Sequence, residues 1–368
     1  MKRRMLLGGM SVGAMSQLTG CDKHQENSKN TVRTSSTQKT IEWTMVTTWP
    51  KNFQILGEGA EYLARTIEEM SGGRLKINVL GAGELVPPFQ VFDTVASGAV
   101  QMGHGAAYYW KGKIPIAPFF SGLPFGLTAQ EMNAWLIKKG GLSLWQQAYQ
   151  PFNLLPLPAG NTGVQMAGWF NREIQSLGDI KGLKMRIPGL GGEVLKAAGG
   201  SPELIAGGEV FTALQMGRID AAEWVGPHND LALGLYKAAK YYYYPGWQEP
   251  GTTLEAMINL SAYKALPDDL QSIVKHACLN ANADMLADFT AKNYQALKIL
   301  QNQHKVQVKM LPDDVLKTFH HISKSIIQDQ IKQDKLAQKV LDSITQFKTD
   351  MEEWSRYSEF NFYQKRTL

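Results

Sequence analysis

The chain has 368 residues, 44% of them hydrophobic and 19% charged, with a formal net charge of +5, which at roughly 100–200 residues per domain leaves room for about two domains. That composition excludes a disordered or collagen-like chain, and two cysteines in unrelated contexts, Cys21 and Cys278, exclude a disulfide scaffold. Lys2, Arg3 and Arg4 carry most of the basic surplus; they fall in a segment read as removable, and the remainder is too small to make nucleic acid a partner.

Residues 1–20 read as an export signal. The basic start precedes a modest apolar stretch from Met5 to Met15, too short and glycine-rich to span a bilayer as a permanent helix. Arg3-Arg4-Met5-Leu6-Leu7 resembles a twin-arginine signal, and Leu18-Thr19-Gly20-Cys21 resembles a bacterial lipoprotein cleavage box. On that reading Cys21 is the lipidated first residue of a periplasmic protein held to the membrane by its lipid alone; the alternative is an ordinary buried cysteine. Residues 21–40 form a tether. After Cys21 their single aliphatic is Val32, so the segment cannot offset the entropy of ordering and is expected to be flexible. No later segment is a candidate membrane span: the longest stretch without Asp, Glu, Lys or Arg, Gly140–Asn171, is broken by Pro151, Pro156, Pro158 and several amides.

Ile41, Trp43 and Met45 alternate with polar residues, as in a strand with one buried face. Leu56, Ala60, Leu63, Ile67 and Met70 recur at helical spacing, and Ser71-Gly72-Gly73 ends that helix. Leu75, Ile77 and Val79 alternate again, completing a βαβ unit that implies a parallel sheet. Val91–Gln101 and Val210–Asp220 then echo each other: a short amphipathic helix, a glycine stop at Gly98 or Gly217, and a small-residue strand. Two similar α/β lobes around one interface are expected; a chance match is the competing explanation.

Leu183, Met185 and Ile187 alternate with Lys184 and Arg186, predicting a strand that stops at Pro188-Gly189, with a helix from about Glu193. Pro267-Asp268-Asp269 starts a helix whose pattern runs unbroken to about Leu300, long enough to buttress both lobes, with Cys278 as a core residue. Leu336, Val340, Ile344, Phe347, Met351 and Trp354 form a last helical stripe, followed by Tyr357, Phe360, Phe362 and Tyr363. This surface packs either on the chain's own lobes or on a second subunit. The expected division is lobe I over 41–159 plus about 247–312, lobe II over 160–246, and C-terminal helices over 313–368.

No nucleophile elbow, Walker loop, HExxH or EF-hand pattern is present. The glycines of Pro188-Gly189-Leu190-Gly191-Gly192 lack the Lys-Ser/Thr of a phosphate loop and suit a turn whose backbone N–H groups approach a small anion. Arg186 ends its strand pattern, where ligands bind in open α/β sheets, and a guanidinium holds a carboxylate through two parallel hydrogen bonds; a surface arginine is the bland alternative. Glu223-Trp224 follows the strand Ile219–Ala222, and Glu249 lies in the turn Gly246–Gly251. Two carboxylates, an amide such as Gln165 and a main-chain carbonyl make an all-oxygen set suited to a hard cation, although singly each glutamate reads as a solvated surface group. His320-His321 reads as surface.

Together these residues resemble the extracytoplasmic solute-binding proteins of tripartite ATP-independent periplasmic (TRAP) transporters, in particular the branch that binds 2-oxo acids and related monocarboxylates. The resemblance spans about residues 41–345. It rests on Gly160-Asn161-Thr162-Gly163-Val164-Gln165-Met166, Met185-Arg186-Ile187-Pro188-Gly189, Glu223-Trp224-Val225-Gly226-Pro227 and Tyr243-Tyr244-Pro245-Gly246-Trp247, in the family's order. It implies an α/β, two-lobe, periplasmic-binding-protein-like fold with a hinge, a long lobe-crossing helix, and solute enclosed on closure. It implies Arg186 as the grip on the solute carboxylate, with Gln165, Trp224, Asn161 and Tyr108 as further contacts. It also implies a sodium or calcium ion on the Gln165 side chain, Glu223, the Trp224 carbonyl and Glu249. Delivery to small and large membrane subunits follows from it, as does a homodimer that swaps the C-terminal helix through Leu336–Trp354. The tail beyond about residue 345 lies outside the matched motifs, and the anchor suggested by Cys21 departs from soluble relatives.

Charge counting gives that resemblance physical content. One monocarboxylate with Glu223 and Glu249 against Arg186 leaves two negative charges uncompensated, at a cost on the order of several kcal/mol per buried ion, so the site is expected to require a cation. A chelating 2-oxo or 2-hydroxy group beside the carboxylate offers the ion two oxygens from one solute, so plain aliphatic acids are expected to bind worse than a pyruvate-like acid; a dicarboxylate finds no dedicated second arginine. Competing expectations are a carrier of lactate or another hydroxy or aromatic acid, and an exported metal-dependent enzyme using the carboxylate pair as acid and base.

Overall fold

The computed structural model describes residues 40–330 and 334–367. The export signal, Cys21 and all but the last residue of the tether lie outside them. Among the described residues are eleven strands: β1 (Ile41–Thr47), β2 (Leu75–Leu80), β3 (Met102–Gly105), β4 (Leu154–Asn161), β5 (Gly168–Phe170), β6 (Lys184–Arg186), β7 (Ser201–Glu203), β8 (Ala221–Ala222), β9 (Tyr241–Tyr244), β10 (Thr253–Asn259) and β11 (Gln307–Met310). They form two sheets, ordered β2-β1-β3-β10-β4 and β11-β9-β5-β8-β6-β7. In the first, β1 buries Trp43 and Met45, and the helix Leu56–Met70 lays Leu56, Ala60, Leu63 and Ile67 inward before it ends at Ser71. β1 pairs in parallel with β2, as the βαβ pattern requires.

The sheets share one wiring. In the first, β1 is parallel to both β2 and β3, β10 is antiparallel to β3, and β4 is antiparallel to β10. In the second, β6 is parallel to both β7 and β8, β5 is antiparallel to β8, and β9 is antiparallel to β5. The sequence echo falls on equivalent places: the helices Val91–Ala96 and Gly207–Gln215 precede β3 and β8, with Gly98 and Gly217 at φ 80° and 70° between them. These left-handed stops are sterically easy only without a Cβ.

Three departures from the expected division emerge. β4 carries Gly160 and Asn161 as part of the first sheet. β11 pairs in parallel with β9 and so belongs to the second sheet, not to lobe I. The helix Asp313–Asp329 follows it there and buries Val315 and Phe319 with Met185, Val194 and Trp247. The helix beside Arg186 also begins earlier than expected, at Gly189.

The helix Asp268–Asn302 has 35 residues, about 52 Å at 1.5 Å per residue. Its first half packs Leu270, Val274, Cys278 and Ala281 on the first sheet, while Met285, Phe289 and Leu300 join a cluster with Trp169, Trp224 and Tyr242 of the second. The helix Lys335–Ser355 folds back on its own chain: Val340, Ile344 and Phe347 are buried with Trp135 and Trp145, and the Trp135 indole N–H donates to Ser343 Oγ at 3.1 Å. Three such side chains contribute about 1.5–3 kcal/mol each to that docking. Beyond them Trp354, Tyr357, Phe360, Phe362 and Tyr363 stay 57–79% exposed. Among the described residues no helix is long and apolar enough to cross a membrane.

Candidate functional site

Besides the long helix that leads from β10 to β11, two extended connectors pass between the sheets, from β4 to β5 and from β9 to β10. They run side by side, with Thr162 N donating to Thr252 O at 3.0 Å, Gln165 N to Glu249 O at 3.2 Å and Ala167 N to Tyr243 O at 2.8 Å. At Gly246 a Cβ would collide with the Gln165 backbone, so only glycine allows this approach. The pairing sets Gln165 and Glu249 against each other: Gln165 Nε2 donates to Glu249 Oε2 at 2.8 Å and to Thr252 Oγ1 at 3.1 Å, and Thr252 Oγ1 donates to the same carboxylate oxygen at 2.6 Å.

Arg186 is the last residue of β6, and Glu223 follows β8, its parallel neighbour. Both are thus set at carboxyl ends of strands, where open sheets place their ligands. Arg186 is 1% and Glu223 0% exposed, and they form an ion pair through Nη1 and Oε1. Arg186 Nη1 also donates to the Glu223 carbonyl at 2.9 Å and Nε to Ile205 O at 3.2 Å, leaving Nη2 with a long 3.4 Å contact to the Tyr109 hydroxyl. The guanidinium lies 5.1 Å from the Trp224 ring. From the first lobe, Tyr108 packs against Gly189, where a Cβ would stand 3.3 Å from the tyrosine Cβ and 3.5 Å from its first ring carbon. Gly189 has φ 62°. The structure therefore brings Arg186, Gln165, Glu223, Trp224, Glu249 and Tyr108 into one buried cluster.

Asn161 adjoins it, but its amide is spent on the chain: Oδ1 accepts from Gly163 N at 2.9 Å, and Nδ2 donates to Thr253 Oγ1 at 3.3 Å and Gly251 O at 3.4 Å. Sequence reasoning missed Tyr109, Gln248 and Thr252. Gln248 precedes Glu249 in the turn already singled out, Thr252 follows that turn, and Tyr109 adjoins Tyr108, so adjacency was the available signal.

The site's electrostatics follow from burial. Desolvation pushes the Glu223 carboxyl well above the usual range despite Arg186, with Glu249 adding to the rise. Burial lifts Glu249 to about 7, against the hydrogen bond from Thr252 and the charge of Arg186. Burial opposes the Arg186 charge, but Glu223 and the facing groups hold it above its ordinary value. Burial also raises Tyr108 and Tyr109, which stay neutral. Gln165 Oε1 and Glu223 Oε2 in this cluster, like the neighbouring Gln248 Oε1, are buried and accept no hydrogen bond. Unpaired buried acceptors are costly, and such oxygens are the ligand type a hard cation takes. The donor set therefore fits sodium or calcium, although among the described residues no group of three or more His, Cys, Asp or Glu gathers to hold a metal. Cys278 is buried in the long helix and free.

Residues 45–334 match the family model described as bacterial extracellular solute-binding protein, family 7 (DctP). The chain is 42% identical to the monocarboxylate 2-oxoacid-binding periplasmic protein of Nostoc sp. (strain PCC 7120), over 98% of both chains. It is similar to the crystal structure of a TRAP periplasmic solute-binding protein from Pseudoalteromonas atlantica T6c with bound sodium and pyruvate, at 41% identity and TM-score 0.86, covering 89% of this chain and 99% of that one. A TRAP transporter solute-binding protein from Bordetella bronchiseptica RB50 matches at 35% identity and TM-score 0.87, covering 89% and 98%. That structure is a mixed-occupancy dimer with copurified calcium and picolinate in one site and an apo second site.

Proposed function

The chain belongs to the DctP family of TRAP solute-binding proteins, bacterial extracellular family 7, and we propose from that premise that it captures a small 2-oxo monocarboxylate such as pyruvate, together with a metal ion, and delivers it to the transporter's membrane subunits. The observation that carries this reading is the pairing of a buried guanidinium with two donor-less oxygens, Gln165 Oε1 and Glu223 Oε2, at strand ends beside the connectors. The solute's carboxylate takes the guanidinium edge that Glu223 Oε1 and Tyr109 share here. Tyr108 and Trp224 wall the solute, and Asn161 fixes the Gly163 turn instead of reaching into the cleft. When bound, the ion supplies the positive charge that Glu223, Glu249 and the solute lack, on Gln165, Glu223, the Trp224 carbonyl and Glu249. No residue pairing for turnover is proposed; the protein binds and releases.

Calorimetry with pyruvate, before and after chelation with calcium added back, tests this. Tight binding that chelation weakens and calcium restores is expected. An unchanged dissociation constant in chelator rejects the metal site. Arg186→Lys, which keeps the charge but loses the planar fork, is expected to weaken pyruvate binding ~30-fold or more, the lower end of losses at buried hydrogen-bonded charge pairs. Picolinate in the Bordetella relative favours a second reading, an aromatic acid with a chelating atom beside its carboxylate; a panel of acids separates the two. The same proposal includes tethering of the periplasmic protein through lipidated Cys21. It also includes a homodimer in which the exposed aromatic residues from Trp354 to Tyr363 meet the second copy.

A further inference from the structure

Trp49 follows β1 in the first sheet, yet its ring serves the second lobe. It stands edge-on to Trp224, with ring centroids 6.4 Å apart and planes at 83°, and 6.3 Å from Tyr109. Trp224 is the ring under the Arg186 guanidinium, so Trp49 touches the site's arginine platform from across the cleft. Its backbone is pinned on the first-lobe side, where its carbonyl accepts from Thr47 Oγ1 at 2.8 Å and Ala82 N at 2.7 Å. Its indole N–H donates to His104 Nδ1 at 2.9 Å. His104 is fully buried in β3, and its Nε2 faces Ala159 O at 3.4 Å. Those two partners assign the tautomer: Nδ1 accepts and Nε2 carries the proton. Burial lowers the imidazole to about 4, which keeps Nδ1 free to accept.

Other contacts cross the cleft too: the Phe53 ring stands edge-on to Trp224 with centroids 6.0 Å apart, and Arg186 Nη2 meets the Tyr109 hydroxyl at 3.4 Å. Lys111 pairs with Glu193, but both side chains are a third or more exposed, and such pairs contribute little. Asn229 Nδ2 donates to Gln54 O at 2.7 Å, away from the arginine platform. Among these contacts, Trp49 alone has its ring fixed by a hydrogen bond to a buried first-lobe side chain, so it meets the ring under Arg186 in a defined orientation.

We propose that Trp49, aimed by His104, is the latch of the closed form, with His104 as its positioning residue. The proposal rests on the solute-binding reading and adds to it the group that sets how long a captured solute stays. A latch formed after encounter acts on release and leaves association alone.

Stopped-flow pyruvate kinetics in calcium tests it. Trp49→Ala is expected to speed release about tenfold, the scale of an aromatic pair, with association within about twofold. Should that variant fail to fold, Trp49→Phe keeps the apolar volume, loses the indole donor, and is expected to speed release severalfold. His104→Asn retains an acceptor near the Nδ1 position and His104→Gln retains only a group near Nε2. Release near the wild-type rate for the first and faster for the second is expected, whereas a merely structural histidine predicts equal behaviour. Equal release by both, or unchanged release by a folded Trp49 variant, overturns the proposal. If wild-type protein binds no 2-oxo acid, the solute reading fails separately. Small-angle scattering with the acid that a ligand panel shows to bind then decides the latch: a larger radius of gyration for Trp49→Ala than for wild type supports it, and an unchanged one overturns it.

Discussion

Buried carboxyls in this molecule differ by what faces them. Asp230 is buried to 1% exposure and accepts from Trp169 Nε1 at 2.9 Å, the Tyr242 hydroxyl at 2.7 Å and the amides of Val225 and Gly226. Glu255, in β10, has only the Trp110 indole and, at 3.3 Å, the Tyr149 hydroxyl on Oε1, while Oε2 has no partner. Burial accordingly pushes Glu255 from 4.5 up to about 8. The folded protein therefore keeps a proton there that the unfolded chain has already lost above 4.5. Stability from this group is full below 4.5 and falls as pH rises, until it is gone past about 8, at up to about 1.4 kcal/mol per pH unit. Glu255→Gln is expected to flatten that slope and to raise stability over wild type at pH 8, read by urea unfolding at pH 5 and 8. None of this was legible in the sequence. Arg186, Glu223 and Glu249 announced themselves through motifs and strand ends, but a glutamate, a histidine or an aspartate whose role is set by three-dimensional burial leaves no local mark.

Elements were legible where one face is buried and hidden where both are. β1 and the helix Leu56–Met70 show clean periodicity because each meets solvent on one side. Every residue of β10 is buried, and strands covered on both faces lose alternation. β4 carries Pro156 and Pro158, which read as loop. β7 and β11 are three and four residues long, below what a pattern can establish. The helix Lys335–Ser355 was legible as a stripe, and the resemblance implied that it is exchanged with a second copy. Phe347, 5% exposed in the first-lobe core, gives the placement a test: Phe347→Ala is expected to cost about 3–5 kcal/mol, measured by chemical denaturation of dilute protein. Tyr357→Ser, 79% exposed on the same C-terminal region, is expected to stay within about 0.5 kcal/mol there. A large loss from Tyr357→Ser with none from Phe347→Ala would mean the helix is docked elsewhere.

At the scale of the whole molecule, the two sheets repeat one strand order, and a third component, the C-terminal helices, breaks that symmetry. The echo at Val91–Gln101 and Val210–Asp220 made the duplication readable from eleven aligned positions; the sixth strand, β11, was not, because it joins the second sheet only after the long helix. Removing residues 349–368 leaves the docked half of the last helix in place. Sedimentation is expected to show the full chain as a dimer and the truncated chain as a monomer with undiminished pyruvate affinity. Lost affinity in the truncated chain would tie the tail to the site and contradict the separation drawn here. Cys21→Ser is expected to move the protein from the membrane fraction to the soluble fraction of the periplasm.

The laced connectors have a mechanical consequence. Because Thr162, Gln165 and Ala167 are bonded across to Thr252, Glu249 and Tyr243, and Gly246 lies flush on its neighbour, the two crossings behave as one stiff ribbon that flexes like a door's leaf and resists torsion. Jaws hung on such a ribbon are expected to swing in a single plane, which the rotation axis between solute-free and solute-bound crystals would check.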